Sequence, residues 1–237
     1  MALIGALAMS LVEQRSESGV CIVTLNHPER RNAMSPQVQV ELSAVLASAA
    51  EDDDIGVVVI TGAGPDFCVG GDFDVIGKMV ADSAYRAELV KVHAAASQDI
   101  LAFPKPTIAA VNGRAFGFGA EIAAFCDMVV MAQDARFADP HVKMGLPPAP
   151  GALLVWPQRT SRAIAAELML TGREVVAEEA LRLGLCNRVA PKGGELAVAL
   201  ELAGTLCALP RAGVLAVKAA LKRSYAKLLA EDQRMAP

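Results

Sequence analysis

The sequence predicts an α/β fold built on a largely parallel sheet with helical crossovers, and three features carry that expectation. Continuous apolar runs at 55–61, 107–111 and 127–132 have the length and composition of strands buried on both faces. Segments of helical periodicity lie between them, and strand, helix, strand, helix, strand in that order requires crossover connections. Hydrophobic residues make up 54% of the 237 residues and the mean hydropathy is +0.39, enough for an extensively buried interior.

Taken in order, the runs at 11–14 and 20–25 flank the turn-forming RSESG at 15–19 and predict a hairpin at a sheet edge. NHPERRNAM at 26–34 is a polar loop. Ser35 then offers an N-cap and Pro36 the first helical position, with Val38, Leu42, Val45 and Leu46 at helical spacing and an end near 51–54. The strand at 55–61 runs into Gly62, Gly64, Gly70 and Gly71 before a stretch, 72–80, that can be helical. A helix at 85–103 stops at Pro104 and Pro106. The strand 107–111 leads into a second glycine turn at 112–119, an almost wholly apolar helix at 120–126 and the strand 127–132. ADPHVKMGLPPAPG follows with four prolines and reads as loop. From Ser161 the pattern is helical, at 162–170, 177–183, 195–209 and 213–230, with apolar faces wider than a lone surface helix needs, so part of them is expected to meet another subunit.

The two glycine turns share a design with chemical meaning. Gly113, Gly117 and Gly119, like Gly70 and Gly71, leave the main chain uncovered, so another molecule can approach its amides. Each turn opens a helix, where the first N–H groups lack partners and the dipole is positive. Two such amides aimed at one oxygen form an oxyanion hole, which stabilises an enolate or a tetrahedral thioester intermediate. Glu121 is the only charged residue between Gly119 and Cys126. Burial there disfavours its ionised form and the helix start favours it, a balance suited to proton transfer. A dinucleotide-binding reading of Gly62-Ala63-Gly64 fails, because Pro65-Asp66-Phe67 follows where a helix with a third glycine would begin.

A net charge of −4 and a pI near 5.5 give no basic face for nucleic acid. The cysteines, Cys21, Cys68, Cys126, Cys186 and Cys207, are odd in number and none forms C-x-x-C, so free thiols in a reducing, cytoplasmic setting are expected rather than disulfides or a metal site. The apolar opening MALIGALAMS lacks a basic n-region and reads as a leader extension, and no stretch has the length and purity of a membrane span.

Four blocks, GVCIVTLNHPERRNAM (19–34), VVVITGAGPDFCVGGDF (57–73), PKPTIAAVNGRAFGFGAEIAAFCDMVVMAQDARFADP (104–140) and LTGREVVAEEALRLGLCNRVAP (170–191), together cover most of the chain and resemble, in order, those of the crotonase superfamily, the enoyl-CoA hydratase/isomerase fold. The resemblance implies a crotonase-like ββα spiral core over 1–190 and a C-terminal helical trimerisation region over 191–237. It also implies a homotrimer or dimer of trimers and acyl-CoA thioester substrates, with coenzyme A part of the substrate and no separate cofactor or metal. The oxyanion donors become the N–H groups of Gly71 and Phe118, and CoA contacts fall on Arg31, Asn32, Ala33, Met34, Gly70, Asp72, Phe73 and Asp74, with Arg30 beside Arg31 as a further phosphate contact. Glu121 takes the place of one hydratase glutamate; His141 stands where the second is usual, and Pro150 where some relatives carry an aspartate. Efficient hydration is therefore not expected, whereas isomerisation, decarboxylation or hydrolysis needs fewer carboxylates. Phe118, where Gly or Ala is usual, implies a narrowed acyl pocket, which Phe116, Met144 and Leu146 could also line, while Trp156 fits ordinary core packing better. His27 and His93 have no companions in the sequence and read as structural. The alternative is a CoA-binding paralogue that kept the fold and lost the chemistry.

Overall fold

The structure, a computed structural model, describes residues 10–148 and 150–235; the first nine residues of the apolar opening and Ala149 lie outside it. A hairpin comes first, β1 (Val12–Glu17) and β2 (Val20–Leu25), paired antiparallel in the register Glu17↔Val20. The turn is only Ser18 and Gly19, both at positive φ, so the predicted five-residue turn is mostly strand. Two left-handed residues match the right-handed strand twist, which RSESG does not advertise because serine is an uncommon choice there.

The loop after β2 contains one 3₁₀ turn, Pro28–Arg30, and α1 (Pro36–Glu51) begins where expected, with Ser35 Oγ accepting from the Val38 amide at 3.3 Å. Next come β3 (Val57–Gly62), α2 (Phe73–Ala81), α3 (Ser83–Ala102) and β4 (Thr107–Val111). The second glycine turn is more than a turn, since it holds a short strand, β5 (Arg114–Phe116), before α4 (Phe118–Phe125). After β6 (Met128–Ala132) and β7 (Arg136–Ala138) come a 3₁₀ segment, His141–Met144, and α5 (Pro150–Arg159). The prolines concealed α5: Pro150 occupies its first turn, where a missing N–H costs nothing, and Pro157 sits near its end. The chain closes with α6 (Arg162–Thr171), β8 (Val175–Val176), α7 (Ala177–Leu183), β9 (Arg188–Ala190), α8 (Glu195–Cys207) and α9 (Arg211–Met235).

One sheet has the order β1-β2-β3-β4-β6-β9, parallel throughout except at the hairpin, and a smaller one has the order β5-β7-β8. Successive strand residues face opposite layers. Val20, Ile22, Val57, Val59, Ile108, Ala110 and Val130 pack under α8, where Ala199 and Ala203, one turn apart, let the helix approach closely. Val23, Val58, Ile60, Ala109, Val129 and Met131 face the other layer, with α1, α3, α4 and α5. Each fully buried Val or Ile contributes about 1.5–3 kcal/mol of burial energy, so both faces hold the register. Among the described residues no single helix is long and apolar enough to cross a membrane.

Candidate active site

Both glycine turns open at the ends of adjacent parallel strands, β3 and β4, which is where loops of an α/β sheet form clefts. The chain after β3 is clamped to β5: the Phe67 and Cys68 amides donate to Arg114 O, and the Phe116 amide donates to Cys68 O at 2.9 Å. It is also tied to the loop after β2, where the Met34 amide donates to Gly70 O at 2.8 Å. Three segments thus meet in one place. Their fit demands glycine: a Cβ on Gly119 would lie 2.1 Å from Cys68 O, and one on Gly70, at φ +91°, would lie 2.8 Å from Phe116 O and 3.5 Å from the Phe118 nitrogen.

The Gly70 amide donates to Cys68 Sγ at 3.4 Å and the Gly117 amide to Ala138 O at 2.9 Å. Among the described residues, the next amide in each turn, that of Gly71 and that of Phe118, has no internal acceptor. Both residues line a single cavity of about 1010 Å³. Cys68 itself is inert, because burial pushes its thiol up to about 12.

The first turn of α4 carries Glu121, wholly buried, with neither carboxylate oxygen hydrogen-bonded. His93 of α3 approaches it, Nε2 to Oε2, at 3.7 Å, and packs its ring against Phe118 at a 43° tilt with centroids 3.9 Å apart. From α5, Gly151 faces the same carboxylate, a Cβ there falling 3.4 Å from Oε2. On the other side of the turn His141 stands beside Gly117, its Cε1 3.3 Å from where a Cβ would be. His141 Nδ1 meets Asp139 Oδ1 at 2.5 Å, and Asp139 is buried. With Nδ1 facing a carboxylate, Nδ1 holds the proton and Nε2 keeps a lone pair. Burial opposes the charged imidazole, but the Asp139 hydrogen bond and the charges of Asp139 and Glu121 outweigh it and raise the pKa above its ordinary 6.5. The arrangement offers two main-chain donors and a basic imidazole on one cavity, with the Glu121 carboxylate fully buried behind the lining residues His93 and Gly151.

Comparison with known proteins gives the family. The family model for enoyl-CoA hydratase/isomerase matches residues 15–236. The chain belongs to the enoyl-CoA hydratase/isomerase family. A Mycobacterium bovis protein named "Probable enoyl-CoA hydratase echA8" is 35% identical over 225 residues, 93% of this chain and 84% of that protein. A solved enoyl-CoA hydratase/isomerase from Mycobacterium paratuberculosis superposes with TM-score 0.88 at 32% identity, covering 97% of this chain and 92% of the other. A monofunctional enoyl-CoA isomerase from M. smegmatis gives TM-score 0.79 at 32% identity, covering 97% and 100%. The crotonase-type α/β fold expected from the four blocks is therefore the fold of this chain.

Within this family enzyme most residues expected at the site border the cavity: Arg31, Ala33, Met34, Gly70, Gly71, Asp72, Phe73, Asp74, Phe118 and His141 all line it. Asn32 does not. Its Nδ2 donates to Ala63 O and Asp66 O, and its Oδ1 accepts from the His27 amide, so it ties two loops together with its side chain turned inward. Arg30, expected as a phosphate contact, is held by Asp72 and Asp74 at 2.8 and 2.6 Å. Burial pushes the Asp72 carboxyl up, and the Arg30 and main-chain hydrogen bonds bring it below its ordinary value. Phe116, Met144 and Leu146 line the cavity, whereas Trp156 packs edge-on against Phe137 in the core. His93 is the residue that sequence reasoning set aside as structural. The available signal was the four-residue spacing of Leu89, His93, Ser97 and Leu101, which puts a histidine in an apolar stripe.

Proposed function

We propose that this family enzyme acts on an acyl-CoA thioester, holding the thioester oxygen between the amides of Gly71 and Phe118. When the α-proton leaves, the C–H electrons pass to the thioester oxygen, and the two N–H groups stabilise the enolate, each by about 3 kcal/mol. His141 Nε2 and Glu121 exchange protons with the acyl carbons, with Asp139 fixing the imidazole tautomer. The observation that carries this reading is the pair of acceptor-free amides, from two different turns, on one cavity beside a carboxylate and an imidazole. Because the second group is an imidazole, proton transfer of the isomerase or decarboxylase kind, or thioester hydrolysis, is favoured over hydration, which needs a water held by two carboxylates.

Exchange of the α-protons of butyryl-CoA in D₂O, followed by NMR, reports enolate formation whichever reaction is completed. The wild-type protein exchanges them, and Glu121→Gln slows exchange or turnover of trans-2-enoyl-CoA esters by about a hundredfold or more. Full exchange by that variant removes Glu121 from the mechanism, and calorimetric binding of acetoacetyl-CoA with no turnover of any ester favours a CoA-binding scaffold.

A further inference from the structure

The cavity wall supplied by α3 changes character along its length. Leu89, His93, Ser97 and Leu101 recur every four residues, share one helix face and all line the cavity. Arg86, about two turns before His93, is exposed, whereas Ser97, one turn beyond it, is 7% exposed. At about 1.5 Å of rise per residue, Ser97 stands about 6 Å further along α3 than the histidine that meets Glu121. Its Oγ has no hydrogen-bond partner. The neighbouring helix α1 brings Gln39, 3% exposed, to the same cavity. Gln39 Nε2 donates to Ser35 O, but Oε1 has no partner. An alkyl chain laid against these two groups would leave a buried acceptor and a buried hydroxyl unpaired, and that is unfavourable.

We propose that the inner end of the cavity recognises a neutral hydroxyl on the acyl group, about one helical turn beyond the reacting carbons, through Gln39 Oε1 and Ser97 Oγ. A hydroxyl meets both needs, donating to the amide oxygen while accepting from the serine. A carboxylate cannot donate to Gln39 Oε1, and Arg86, the arginine that α3 brings to the cavity, lies eleven residues before Ser97, about 16 Å along the helix, too far to neutralise it. The inference rests on the acyl-thioester reading and adds to it the class of acyl group.

Calorimetric titration of the full chain with octanoyl-CoA and with ω-hydroxyoctanoyl-CoA tests it without any substitution. The hydroxylated ester binds about tenfold more tightly, the worth of one to two well-made hydrogen bonds. In the double variant Ser97→Ala, Gln39→Leu the ratio falls to about one, and Ser97→Thr retains it. Equal or tighter binding of octanoyl-CoA by the wild-type protein, or a preference that survives in the double variant, overturns the proposal and leaves the thioester reading standing. Failure of both esters to bind overturns the two together.

Discussion

In the proposed mechanism His93 and Asp139 act at the scale of single residues, each through a neighbour, Glu121 or His141, assigned to proton transfer. Phenylalanine in place of His93 keeps the ring contact with Phe118 and removes the Nε2 that faces Glu121 at 3.7 Å. His93→Phe is expected to lower kcat by about tenfold or more with KM little changed; a purely structural histidine would leave kcat intact. Asp139 gives a pH signature. As the proposed base His141 works only when neutral, so activity is expected to rise as pH climbs through its pKa, which is raised above 6.5. Asp139→Asn removes the charge that raises that pKa and leaves only a weaker, neutral acceptor for Nδ1–H, so the ascending limb of the kcat/KM profile moves to lower pH. A limb that stays put denies His141 the role. Stability runs the opposite way with pH: the contact stabilises the fold fully below the unfolded-state pKa, and that contribution is lost as pH rises through the raised value. Asp139 and His141 are neighbours in the sequence and their pairing could be foreseen. The meeting of His93 with Glu121 could not, because it spans two helices.

At the scale of elements, the site depends on how closely two turns pack. Gly119 lies against Cys68 O with no room for a methyl group, and main-chain atoms on both sides cannot yield as a flexible side chain would. Gly119→Ala is expected to destabilise the protein by about 1–3 kcal/mol and to abolish exchange of acyl-CoA α-protons, because it pushes the Gly71 turn from the Phe118 turn. Thermal melting and the exchange assay read the two effects separately, and a variant with unchanged melting and unchanged exchange contradicts the turn-to-turn contact. The glycines were legible in the sequence as glycines. Which carbonyl each one touches was not, since Gly119 and Cys68 come together only through the parallel pairing of β3 with β4 and the bridge between Cys68 and Ala115.

For the whole molecule, the apolar helix faces predict assembly. Val217 and Leu221, one turn apart on α9, are 60% and 63% exposed on the single chain, and Leu170 of α6 is 75% exposed. The resemblance to the crotonase superfamily leads us to expect a trimer or a dimer of trimers, and sedimentation equilibrium checks it; a monomer at micromolar concentration contradicts it. The sequence by itself determined the strand-and-helix alternation, the parallel core, the family and the two glycine turns, because period, apolar run length and glycine placement are local properties of the chain. It did not reveal α5, whose prolines look like loop until the helix ends are located, or the inward-facing side chain of Asn32. Tertiary structure alone decided that Glu121 faces His93, that Arg30 is held by Asp72 and Asp74, and that Gln39 and Ser97 share one cavity. Each of these contacts joins segments distant in sequence, and only packing brings such segments within a few ångströms.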